Sequence, residues 1–258
     1  MDRRQYLVLV GGMAAASGTV SADGNNSSNW SDEEGESVHD IDDDELYNIS
    51  NLDELVALPF DPNIAVELTG EGSRVTDEFE LEHGLTMFVY ESEVGNYEGL
   101  EVDLEQTDGD YNVGWVIFDI LFSEDTEVVT GGSLETVERG TYLLDVNSPG
   151  EWAIYVAQPQ SPEEEVRSLP ASVEGEHSAI VGPFEADDGI TVVGEHRDPD
   201  SDSTFTVLVF QEDSSDLFNM DSAFMEEAGF EGEARADVDG VSWAYVQTRG
   251  EWSLEFEN

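Results

Sequence analysis

Asp198, Asp200 and Asp202 alternate in the run Asp198-Pro199-Asp200-Ser201-Asp202-Ser203, the spacing with which a calcium-binding loop begins. The chemistry on offer is oxygen coordination of a hard cation. The later positions depart from that pattern, since Ser203 stands where the sharp turn needs glycine and Val209 where a bidentate glutamate closes the site. The equivalent stretch of the first half, 93–97, carries one carboxylate. We therefore read a solvated hairpin loop, with Ca²⁺ coordination as the alternative and no other cofactor expected.

The second cluster with chemical content is the run Val241-Ser242-Trp243-Ala244-Tyr245-Val246. If Ser242, Ala244 and Val246 face a core, strand periodicity sends Trp243 and Tyr245 to the opposite face. An exposed aromatic face of this kind marks an interaction site, such as a sugar-binding platform. The competing readings are packing against the other half of the chain, or a locally inverted core. The four histidines, at 39, 83, 177 and 196, stand singly rather than at metal-ligand spacing, and read as surface residues. No Gly-x-Ser-x-Gly elbow or nucleotide-binding glycine loop is present. Carboxylate pairs of the glycosidase type carry no weight where 61 of 258 residues are acidic. Catalytic residues are therefore assigned to none.

The elements that must position these residues come from an internal duplication. Gly70-Glu71-Gly72-Ser73, Phe79 and Gly84-Leu85-Thr86 recur 105 residues later as Gly175-Glu176-His177-Ser178, Phe184 and Gly189-Ile190-Thr191. Gly132, Gly140 and Gly150-Glu151-Trp152 then recur 100 residues later as Gly232, Gly240 and Gly250-Glu251-Trp252. This alignment sets His177 against Gly72 and His196 against Glu91. Apolar residues alternate within each copy, as in Leu100, Val102, Leu104 and Tyr142, Leu144, Val146. That period, broken by turn signals about every ten residues, predicts an all-β fold of two tandem antiparallel sandwiches of the jelly-roll kind. The expected boundaries are a signal peptide at 1–22, an acidic linker at 23–61, sandwiches at 62–160 and 171–258, and a second linker at 161–170. Asn51-Leu52-Asp53-Glu54 predicts a cap for one short helix.

Gly140-Thr141-Tyr142-Leu143-Leu144-Asp145-Val146 with Gly150-Glu151-Trp152 resembles a β-sandwich module common in secreted bacterial and archaeal proteins. That resemblance implies a non-catalytic accessory role. At the N-terminus, Arg3-Arg4-Gln5-Tyr6-Leu7-Val8, an apolar run over 6–20 and the small residues Val20-Ser21-Ala22 resemble the twin-arginine signals of haloarchaeal secreted proteins. This implies export of the folded chain to the cell surface or beyond, with no transmembrane segment left in the mature protein.

Composition points the same way. The eight basic residues are all arginine, and the net charge is -53. Such a chain repels itself in dilute buffer, whereas at molar salt the Debye length falls to about 3 Å. A polyanion of this density is excluded as a nucleic-acid binder. Four N-x-[ST] sequons, at Asn25, Asn26, Asn29 and Asn48, fall in the acidic linker as candidate glycosylation sites. The expectation is a non-catalytic binding or structural protein adapted to high salt, monomeric or weakly associating, with a cell-surface glycan or protein as partner. A secreted hydrolase of extracellular polymers and a carbohydrate-binding module are the alternatives.

Overall fold

Alternating apolar residues form antiparallel ribbons because one face of each must leave water. The computed structural model describes residues 45–56, 58, 60, 62, 64–95, 98–109, 112–120, 127–197, 204–213, 220–227 and 229–258. A leading segment carries β1 (Tyr47–Ile49) and α1 (Leu52–Val56). The first lobe follows as β2 (Ile64–Glu71), β3 (Arg74–Val75), β4 (Phe79–Leu81), β5 (Gly84–Val94), β6 (Gly99–Gln106), β7 (Asn112–Ile120), β8 (Glu127–Val137), β9 (Gly140–Asn147) and β10 (Glu151–Gln158). One layer has the order β2-β10-β5-β8, and the facing layer β3-β9-β6-β7 with β4 also on β9. Phe88, Tyr142, Ile154 and Leu104, each buried, belong to the core enclosed between them.

The second lobe contains β11 (Ala171–Ala186), β12 (Ile190–Arg197), β13 (Thr204–Gln211), β14 (Met220–Glu227), β15 (Phe230–Ala236) and β16 (Gly240–Glu257). Here β11 and β16 run unbroken through both layers, joining them into one seven-stranded sheet. In the first lobe the same path is cut into β2, β3 and β4, and into β9 and β10. The duplication is visible in a paired device. Trp152 donates its indole N–H to Gly72 O at 3.0 Å, and Trp252 donates to His177 O at 2.8 Å. Each ring lies over a glycine, Gly70 or Gly175, where a Cβ would come within 2.4 or 2.5 Å of it.

The alignment needs one correction. Trp152 stands opposite Ser92 on β5, and Trp252 opposite His196 on β12. His196 therefore answers to Ser92 and not to Glu91. It is buried against Phe205, with ring centroids 5.0 Å apart, and bonds Arg249 O and Thr248 Oγ1 through Nε2. The expectation of a surface histidine fails here because the core of the second lobe extends to this row.

A larger correction concerns the acidic linker. Its described part folds, with β1 pairing antiparallel to Ile180–Gly182 on the edge of β11. The predicted cap forms, since Glu54 N donates to Asn51 Oδ1 and Asn51 N to Glu54 Oε2. Leu46 enters the core of the second lobe, and Ile49, Leu55 and Phe60 enter a third cluster. That cluster joins the lobes. Leu85, Met87, Val89 and Leu134 on the outer face of the β2-β10-β5-β8 layer meet Ile180, Phe210 and Trp243 of the second lobe. The linker at 161–170 is also tied down, since Ser161 N and Oγ both donate to the buried Glu212 carboxylate.

Candidate functional site

The outward face assigned to Trp243 and Tyr245 is correct, but it is not free. Trp243 is fully buried between the lobes, edge-on to Phe60, with its indole N–H donated to Glu212 Oε2 at 2.8 Å. Tyr245 is partly buried in the same cluster, and burial pushes its phenol far above the usual range. The proposed exposed platform is therefore overturned, because the first lobe covers it. Packing against the other half was among the readings open in the sequence.

The duplication shows where an equivalent face stays open. In the second lobe Leu208 lies opposite Tyr245 and Phe210 opposite Trp243, with Ile180 on the other side of Tyr245. The same positions in the first lobe hold Asp103 opposite Asp145, Glu105 opposite Leu143, and Val75 beside Asp145. Apolar residues that dock one lobe on the other are thus largely replaced by carboxylates. Charges so close would be costly to bury unpaired, so this face stays in water.

At its edge stand two large aromatic residues. Trp115 is 64% exposed and Phe118 44% exposed, their rings stacked with centroids 5.2 Å apart. Residues three apart on a regular strand point to opposite faces. A β-bulge between Val102↔Ile117 and Asp103↔Trp115 removes that mismatch, with Val116 as the extra residue. Val116 and Ile117 both turn inward. Gly114, at φ +82°, supplies a left-handed backbone that side chains resist. Ser133 Oγ–H donates to Val116 O, which ties the bulged strand to β8.

The register then arranges two rows across the face. One runs Asp145, Asp103, Trp115 on β9, β6 and β7, and the next runs Asn147, Glu101, Phe118. Adjacent members of a row sit on strands about 4.8 Å apart. Ser73 Oγ–H donates to Asn147 Oδ1, and Asn147 Nδ2 donates to Glu101 Oε2, so the polar members of the second row are bonded to each other and to Ser73. Partial desolvation, the Asp145 charge and, more weakly, Glu101 raise the Asp103 carboxyl above the usual range. The indole of Trp115, opposite Asp103 on the neighbouring strand, pulls the other way. Chemically the face offers a stacking surface beside hydrogen-bond acceptors.

Other sequence candidates fare differently. Asp198, Asp200, Asp202, Arg3, Arg4, Asn25, Asn26 and Asn29 lie outside the described residues. Asn48 is on β1, half-buried, and its Nδ2 donates to Glu174 O at 2.9 Å, a bond that a glycan would have to displace. Among the described residues no group of three or more His, Asp or Glu is placed to hold a metal ion. A groove of about 420 Å³ on the second lobe is lined by Glu174, Glu176, Glu195, Glu251 and Arg197. Its guanidinium is engaged twice by Glu195, at 2.7 and 2.6 Å.

No family model matches the chain, and no characterised protein sequence matches it. Several solved structures match at low overall similarity, among them the following two. The N-terminal CBM22-1-CBM22-2 tandem domain from Paenibacillus barcinonensis Xyn10C is 9% identical, with 83% of this chain and 97% of that one covered and a TM-score of 0.23. A chain from the Sulfolobus Turreted Icosahedral Virus is 7% identical, with 76% and 94% covered and a TM-score of 0.22. At these scores neither likeness bears on what the chain binds.

Proposed function

We propose that the protein is an exported, non-catalytic binding protein for high-salt surroundings, and that it engages extracellular carbohydrate through the open face of its first lobe. The observation that carries this reading is the exposed Trp115–Phe118 stack beside a carboxylate and amide array. A flat aromatic ring buries the apolar face of a pyranose while neighbouring oxygens accept bonds from its hydroxyls. The Arg3-Arg4 start and the charge of -53 support export into brine. Trp115 and Phe118 stand exposed on β7, the last strand of its layer, whereas hydrolysis calls for polar groups converging in a cleft.

Retention of the folded chain on insoluble polysaccharides in molar NaCl tests the reading. Trp115→Ala is expected to lower retention by about tenfold or more, as loss of an aromatic anchor does. Its thermal midpoint is expected to stay within the range of ordinary surface changes. Retention unaffected by Trp115→Ala would remove this face as the site.

A further inference from the structure

Resting on that reading, we infer that the face selects a glycan bearing protonated amines, the ammonium lying among Asp103, Asp145 and Glu101 with its sugar ring against Trp115. The argument is one of charge complementarity. Asp103 lies between Asp145 on one neighbouring strand and Trp115 on the other, with Glu101 one row away on its own strand. The three carboxylates repel one another, and Asp103 is already partly desolvated. An ammonium placed there relieves this repulsion and gains charge-assisted hydrogen bonds. The open indole of Trp115 adds the attraction of a cation for an aromatic face. A uronic acid or a sulfated sugar would add a like charge to three already present, and is disfavoured by the same geometry.

The charge is local as well as global. Asn147 Nδ2 is the donor hydrogen-bonded to these carboxylates in the rows described above, and it is not cationic. In the second lobe the corresponding positions are Leu208 and Tyr245, so the duplicated face does not repeat the arrangement. Binding is therefore expected at one face per chain.

Chitosan and chitin beads share a backbone and differ in whether the amine is free or acetylated. The full chain, in molar NaCl and at a pH that protonates chitosan, is expected to bind chitosan at least about tenfold more tightly than chitin. Asp103→Asn is expected to abolish that preference, Trp115→Ala to weaken binding to both polymers, and Glu233→Gln on the second lobe to change neither. Equal binding to both polymers, still sensitive to Trp115→Ala, would overturn the amine inference and leave the carbohydrate reading standing. A chitosan preference that survives Asp103→Asn would mean diffuse attraction to a polyanion, and would also overturn it. Failure to bind either polymer, or any neutral polysaccharide, would sink both.

Discussion

Glu135 on β8 is the residue whose titration has a defined consequence for the fold. Burial raises its carboxyl from an ordinary 4.5 to about 7. The folded state therefore holds a proton that the unfolded chain releases between those values. Stability falls as pH rises through that window, and is greatest, so far as this group matters, below the unfolded value. The expected contribution is at most about 3 kcal/mol. Lowering the net charge of the whole chain also favours the compact state on acidification, so the difference between wild type and Glu135→Gln isolates the residue. Denaturant titrations in molar salt from pH 5 to pH 8, values chosen about this window, are expected to give a steeper loss for wild type than for Glu135→Gln. Parallel slopes would refute the assignment. The same scale explains why Trp115 escaped sequence reading. Its i, i+3 spacing to Phe118 places the two rings on opposite faces of a regular strand, and only the extra residue Val116 aligns them.

At the scale of elements, the leading strap is the part that composition concealed. Acidic and Asn/Ser-rich, it reads as solvated chain, yet Leu46, Ile49, Leu55 and Phe60 are all buried. Their burial depends on partners more than a hundred residues away, such as Ile180 and Trp243, which no local pattern reveals. Leu46→Ala is expected to destabilise the protein by about 3 kcal/mol, the cost of deleting a core leucine. A free linker would show no change in unfolding midpoint. The sandwich strands themselves were legible, because alternation over eight or more residues repeats in two copies, and because Gly70 with Trp152 and Gly175 with Trp252 recur in order. The single-residue slip at His196 was not legible. Glycines fix the turn before β12, whereas core-facing residues fix the register within it.

At the scale of the whole molecule, two related lobes are joined through unlike faces. The β2-β10-β5-β8 layer of the first lobe receives the opposite layer of the second, and the docking residues of that layer have no apolar counterparts at Asp103, Glu105 and Asp145. Duplication followed by divergence of one face accounts for both features: a covered Trp243 and an open Trp115. High charge accounts for the rest of the surface, and for the failure of carboxylate clusters to identify a site by themselves. The four tryptophans among the described residues report on this arrangement separately, since Trp152, Trp243 and Trp252 are buried while Trp115 is exposed. The most direct test is therefore to follow the indole ¹H–¹⁵N resonances of the folded chain in molar NaCl while adding soluble oligosaccharides, neutral and amine-bearing. The account predicts a saturable shift of the Trp115 resonance, with those of Trp152, Trp243 and Trp252 unmoved. A shift at Trp243 without one at Trp115, or no shift with any sugar, would contradict it.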